Sequence, residues 1–176
     1  MSDSMITIRP VEPEDAAELR ANCFSQNTLA QVQERIAENL QAFAKGKQLQ
    51  LVAEVDGIVV GTAVLMRKEH PLFAHRAEVV DVVVDTPYQR RGIARRLVDA
   101  LCDHAASIGL EIIEISCRAP TVTEEIYRRL GFIEYGRLPR GIKEPGGEQR
   151  VYDEVFFYRP VLHTVDHATS DRKDAR

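Results

Sequence analysis

The stretch from Val82 to Leu97, Val-Val-Val-Asp-Thr-Pro-Tyr-Gln-Arg-Arg-Gly-Ile-Ala-Arg-Arg-Leu, restricts the fold more than any other part of the chain. It begins as a β-branched apolar run and turns at Pro87. It then enters a helical pattern through a loop that holds one glycine and a cluster of arginines. A strand–loop–helix of this kind leaves backbone N–H groups without intrahelical partners at the helix start, where the macrodipole is positive. Anions, and diphosphates in particular, are held at such a start. The preceding valines, Val79, Val80, Val82, Val83 and Val84, predict a central strand covered on both faces.

Charge decides which partners this loop serves. The chain has 176 residues with 23 basic and 27 acidic side chains, a net charge of -4. That balance leaves no global footprint for nucleic acid or an anionic membrane. The local cluster at Arg90, Arg91, Arg95 and Arg96 therefore points to a small polyanion. Cys23, Cys102 and Cys117 are odd in number and far apart, so no disulfide framework or zinc site is indicated, and a reducing cytoplasmic setting is expected. The five histidines show no metal-ligand spacing. Neither a signal peptide nor a run of about 18 apolar residues is present.

The remaining elements follow from period and punctuation. Ile6 to Arg9 alternates as a strand, and Pro13-Glu14-Asp15 opens a helix through Leu19. A second helix is predicted over Leu29 to Ala44, with Val32, Ile36, Leu40 and Phe43 on its apolar stripe. Leu49–Val55 and Ile58–Leu65 flank Asp56-Gly57, the strongest short hairpin signal. Arg67 to Arg76 reads as a loop and Ala77 to Val84 as the fourth strand. The helix carrying Leu97, Val98, Leu101 and Ala105 is followed by a strand over Leu110–Ser116, parallel to the fourth. A short helix over Thr123–Leu130, with Thr123 as its cap, precedes a strand at Phe132–Tyr135, a loop from Pro139 to Gln149, and a last strand over Val151–Tyr158. Residues 1–160 read as a single domain and 161–176 as a polar, mobile tail. The order β-α-α-β-β-β-α-β-α-β-β predicts an α/β (α+β) fold, a mixed sheet with helices on both faces.

Gln89-Arg90-Arg91-Gly92-Ile93-Ala94 fits the pattern Gln/Arg-x-x-Gly-x-Gly/Ala, and Tyr127-Arg128-Arg129-Leu130-Gly131-Phe132 fits Tyr-x-x-x-Gly-Phe. With the valine strand before the first motif and an amphipathic helix after it, the chain resembles the GCN5-related N-acetyltransferases from Ile6 to Tyr158. Competing phosphate loops are absent: there is no Gly-x-x-x-x-Gly-Lys-Ser/Thr, and no Gly-x-Gly-x-x-Gly after a strand. His75–Val79 and Gly136–Pro139 are similar to members that acetylate small amines, including toxin- and antibiotic-modifying ones.

The resemblance implies a mostly antiparallel, twisted sheet of about seven strands whose central parallel pair splays at an acyl-CoA slot. It implies acetyl-CoA as co-substrate and a small-molecule or peptide amine as acceptor. The backbones of Val82, Val83 and Val84 would hold the pantetheine arm. Gln89, Arg90, Arg91, Gly92, Ile93, Ala94 and Arg95 would hold the pyrophosphate, chiefly through backbone N–H groups that Gly92 lets approach closely. Tyr127 takes the place of the general acid. Glu78 or Asp81 takes that of the base, and on an ideal strand the two face opposite sides unless a bulge intervenes. A homodimer is implied by the resemblance alone. Many relatives carry an asparagine where Pro120 stands here, so another path is expected for Arg118 to Val122. Two readings stay open beside direct acetyl transfer to an amine: an acyl-CoA-binding regulatory module without turnover, and a nucleotide-binding protein using the same loop.

Overall fold

Two hydrophobic periods sort this chain into strands and helices, and the computed structural model, which describes residues 5–144 and 150–161, shows how they stack. The strands are β1 (Ile6–Pro10), β2 (Gln48–Val55), β3 (Ile58–Arg67), β4 (Arg76–Val84), β5 (Ile112–Ala119), β6 (Ile133–Lys143) and β7 (Val151–Pro160). The helices are α1 (Ala16–Asn22), α2 (Leu29–Ala44), α3 (Ile93–Ser107) and α4 (Val122–Arg129). One seven-stranded sheet has the order β1-β2-β3-β4-β5-β7-β6, and among its pairs only β4 with β5 is parallel. The predicted element order and mixed sheet are both observed.

Alternation along β2 places a core on each side. Leu51 and Ala53 join the larger cluster with Leu97, Val98, Leu101 and Ala105 of α3, while Val52 joins the smaller one with Leu19 of α1 and Val32 and Ile36 of α2. Asp56 and Gly57 both take positive φ, 51° and 86°, as a tight two-residue hairpin requires.

Several expectations need correction. Pro13–Asp15 forms a 3-10 turn that leads into α1 rather than its first α-turn. On α2 the apolar stripe includes a polar member. Asn39 is buried, while Phe43, at the last turn, is 46 % exposed. Asn39 is tolerated because its amide donates to Gln50 Oε1 at 2.7 Å. Gln50 Nε2 donates to Thr62 Oγ1 at 3.1 Å, and that hydroxyl donates to Leu51 O at 2.8 Å.

The α4 cap is Thr121, not Thr123; the Thr121 amide donates to the Glu124 carboxylate at 3.3 Å. β6 continues through Pro139 to Lys143, where a loop was expected. Proline is accommodated because β6 is the sheet edge and its register with β7 shifts between Leu138 and Ile142, with Arg140 at φ 57°. Val161, read as the start of the tail, is buried in the core and its amide donates to Glu111 O at 2.8 Å; residues 162–176 of the expected tail, and 145–149 of the expected loop, lie outside the described residues.

Candidate active site

The middle of the sheet forks. β4 and β5 pair over three positions, Arg76–Ile112, Ala77–Ile113 and Glu78–Glu114, and part beyond that. Each stays anchored on its outer side, β4 to β3 as far as Val84–Gly61 and β5 to β7 as far as Ala119–Asp153. Just beyond the last paired position β4 carries a bulge. Thr62 pairs with Val83 and Val64 with Val80, so Asp81 and Val82 share one position on β3, and Asp81 takes φ 52°. Aspartate is among the residues that tolerate the left-handed region best, and a bulge bends its strand.

The parting explains why the valine strand is not covered throughout. Val79 is buried, but Val80, Val82, Val83 and Val84 are only half-buried. The space that opens has a volume of about 480 Å³. Asp81, Val82 and Val83 line one wall and Ser116, Cys117 and Arg118 the other, with Thr121, Thr123 and Tyr127 contributed from the α4 end. Ile142 and Tyr152 complete it from β6 and β7.

The loop into α3 is held at both ends. The Asp85 amide donates to Val60 O at 2.8 Å, and the Gln89 side chain donates to Val84 O at 2.9 Å. Arg90 and Gly92 adopt φ 63° and 78°, and Gly92 is the N-cap of α3. The first helical amide to reach a carbonyl is that of Arg96, donating to Gly92 O at 3.0 Å. The amides from Arg90 to Arg95 have no acceptor among the described residues. Gly61 allows the close fit beside them, since a Cβ there would lie 3.1 Å from Val83 O and 3.4 Å from Ile93 Cγ2.

Side chains in this loop divide by role. Ile93 is in the core, so only its backbone faces the loop. Arg91 lies over the Tyr88 ring at 5.2 Å, and Arg95 donates to Arg129 O, tying α3 to the end of α4. Arg90 and Arg91 form no ion pair among the described residues. Free amides, two guanidinium groups without an ion-pair partner among the described residues and an adjoining slot between strands fit a diphosphate joined to an extended arm.

Tyr127 is buried, its ring 6.0 Å from both Phe132 and Phe157. Burial, and then the neighbouring Cys117, push its phenol up to about 12, so it carries its proton at neutral pH and lines the cavity as a donor. Burial also pushes the Cys117 thiol up to about 11, which leaves little thiolate for nucleophilic attack.

The two carboxylates are separated. Asp81 lines the cavity and pairs with Arg35 Nη1 of α2 at 3.1 Å. Glu78 sits at the closed end of the fork, its Oε2 2.6 Å from Lys68 Nζ. Directly across from it is Glu114, which sequence reasoning missed. This carboxylate is 7 % exposed and accepts from Arg76 through both oxygens. Tyr135 Oη donates to it at 2.9 Å. Burial alone would raise its pKa; the hydrogen bonds from Arg76 and Tyr135 outweigh that and lower it. Burial and then the hydrogen bond to Glu114 push the Tyr135 phenol up to about 12.

Ser116, Thr121, Thr123, Ile142 and Tyr152 were missed as well. Only the pairing of β5 with β7 and of β7 with β6, together with the position of the Thr121 cap, brings them to the slot, and none of these is a local sequence signal.

The Acetyltransferase (GNAT) family model matches residues 14–132. Among solved structures, the YncA protein of Salmonella typhimurium, solved with its cofactor acetyl-CoA, is 23% identical with a TM-score of 0.73, covering 95% of this chain and 98% of that one. A ribosomal-protein-alanine N-acetyltransferase from Brucella melitensis is 25% identical with a TM-score of 0.73, covering 88% and 99%. An N-acetyltransferase from Staphylococcus aureus Mu50 is 20% identical with a TM-score of 0.75, covering 90% and 100%. With the forked sheet and the amide-rich loop that precedes α3, the family match establishes that the chain belongs to the GNAT family and is an N-acetyltransferase that uses acetyl-CoA.

Proposed function

We propose that the protein transfers an acetyl group directly from acetyl-CoA to a primary amine. The observation that supports this best is the fork, where one cavity is lined by strand backbone, by a protonated phenol and by a carboxylate. Acetyl-CoA brings an activated carbonyl and a thiolate leaving group. The amides from Arg91 to Ala94 bind the pyrophosphate, helped by Arg90, Arg91 and Arg95. The backbones of Val82 and Val83 hold the pantetheine arm as an added strand, while the Val84 carbonyl is already engaged by Gln89. Tyr127 Oη supplies a proton to the departing sulfur.

Glu78 accepts the amine proton, and Asp81 is the alternative acceptor nearer the cavity. The raised Cys117 thiol favours transfer without an acyl-enzyme. The acceptor is a small molecule or a peptide amine, bound on the side bounded by Arg118, Ile142 and Tyr152. The reading also takes the protein as cytoplasmic, supported by three free cysteines. No helix among the described residues is long and apolar enough to cross a membrane. A homodimer through the sheet edge is supported by exposed Ile133, Tyr135 and Leu138 on β6.

The test is release of CoA thiol from acetyl-CoA against a panel of amines. Turnover on at least one primary amine is expected, with Glu78→Gln lowering kcat/KM by about 10². Tight acetyl-CoA binding with no turnover on any amine would overturn the reading.

A further inference from the structure

We propose that Lys68 is an internal acceptor, acetylated on its side-chain nitrogen by the protein's own active site. The inference rests on the reading that Glu78 takes a proton from a primary amine. A primary amine is already in contact with that carboxylate, and it belongs to the chain itself. Lys68 Nζ lies 2.6 Å from Glu78 Oε2 and 3.9 Å from Glu114 Oε2. Those two carboxylates face each other across the last rung of the β4–β5 ladder before the strands part. The ammonium therefore sits at the closed end of the fork, between the groups an incoming amine would meet.

Backbone geometry keeps it there. Lys68 directly follows β3, and its amide donates to Arg76 O at 3.1 Å, beside the start of β4. Two residues before it, Met66 pairs with Glu78, so alternation along β3 puts the Lys68 side chain on the Glu78 face. The distance to the slot is short. Ser116, which lines the cavity, lies two residues beyond Glu114 on the same face, about 7 Å along the strand at 3.3–3.4 Å per residue. The Lys68 side chain is 33% exposed, and its flexible four-carbon stem lets Nζ swing over that range while the backbone stays fixed. Lys47 makes a comparable pair, Nζ to Glu69 Oε1 at 2.8 Å, but on open surface and away from the fork, which makes it an internal control.

The chemistry balances without a further reagent. The Lys68 ammonium gives a proton to Glu78, and the freed lone pair forms an N–C bond to the acetyl carbonyl carbon. The C–S bond breaks and its electron pair leaves on the CoA sulfur, which takes a proton from Tyr127. Of the three ammonium protons, one stays on the new amide, one restores Tyr127 and one passes through Glu78 to solvent. The products are N-acetyl-lysine, CoA thiol and one proton.

The experiment incubates the full-length protein with acetyl-CoA and no added amine, then maps acetylation at each lysine by peptide mass spectrometry over time. The expected result is selective acetylation of Lys68, with Lys47 trailing by about a hundredfold, and a Glu78→Gln rate at Lys68 lower by a similar factor, as for loss of a general base. The rate constant at Lys68 should not change on dilution of the protein. Equal rates at Lys68 and Lys47, a rate indifferent to Glu78→Gln, or one proportional to protein concentration each overturn the proposal. Glu78-dependent acetylation of an added amine with Lys68 unmodified overturns it while leaving the proposed activity standing. Acetyl-CoA binding with neither Lys68 nor any added amine acetylated overturns both.

Discussion

Tyr127 combines two demands on one side chain. Its ring is part of the core, between Phe132 and Phe157, while its phenol reaches the cavity. Tyr127→Phe keeps the ring packing and removes the proton, so kcat should fall by about 10² with acetyl-CoA affinity and melting temperature nearly unchanged. Unaltered turnover would remove Tyr127 from the chemistry. Glu114 presents the opposite case, a carboxylate whose partners are all on neighbouring elements. Glu114→Gln leaves Arg76 without its charged partner and is expected to cost about 1–3 kcal/mol in denaturant unfolding. Tyr127 was legible in the sequence because a short motif names it. Glu114 was not, because Ile112 to Ser116 reads simply as a strand, and its partners Arg76, Lys68 and Tyr135 are 38, 46 and 21 positions away.

Among the elements, the loop before α3 was read most fully and β6 least. Glycine at position 92, arginines around it and a helix period after it are local signals, and the structure keeps them local. The bulge at Asp81 and the run of β6 through Pro139 depend on partner strands. Pairing with β7 converts a proline- and glycine-containing segment into an edge strand. A substitution at Gly92 tests the loop as a unit. A Cβ there meets nothing within 4 Å, so Gly92→Ala adds no clash, only the strain of φ 78°. The expected cost is about 1–2 kcal/mol, read as a lower melting temperature, together with weaker acetyl-CoA binding by calorimetry. A stable variant that binds the donor as tightly as the parent would show that the left-handed turn does not set the loop's affinity.

At the scale of the molecule, several protonated acids are enclosed in the core. Burial raises Cys102 and Cys117 from 9.0 to about 11, and Tyr127 from 10.0 to about 12. Below pH 9 these groups hold their protons in both folded and unfolded chains, so their contribution is complete. As pH rises from 9 to 12, the unfolded chain releases protons that the folded chain retains, and stability falls. Melting temperature should therefore drop across that window, less so in a Cys102→Ala, Cys117→Ala double variant than in the parent. An identical slope in the two proteins would show that the thiols do not carry the effect.

The chain of side-chain hydrogen bonds from Asn39 through Gln50 and Thr62 to the Leu51 carbonyl has a consequence for folding fidelity. Apolar strands such as β2 and β3 tolerate sliding past one another, because valine against leucine is nearly as good in one register as in the next. The polar relay does not tolerate it. A two-residue slip would keep every apolar side chain on its own face, yet Thr62 would lose both Gln50 and the Leu51 carbonyl, and Gln50 would lose Thr62. Each would be left buried with an unmet hydrogen bond at about 1–3 kcal/mol. The relay therefore acts as a key for alignment, selecting one among several pairings that hydrophobicity alone leaves close in energy. Since β3 in turn aligns β4, the same key fixes where along the sheet the fork begins.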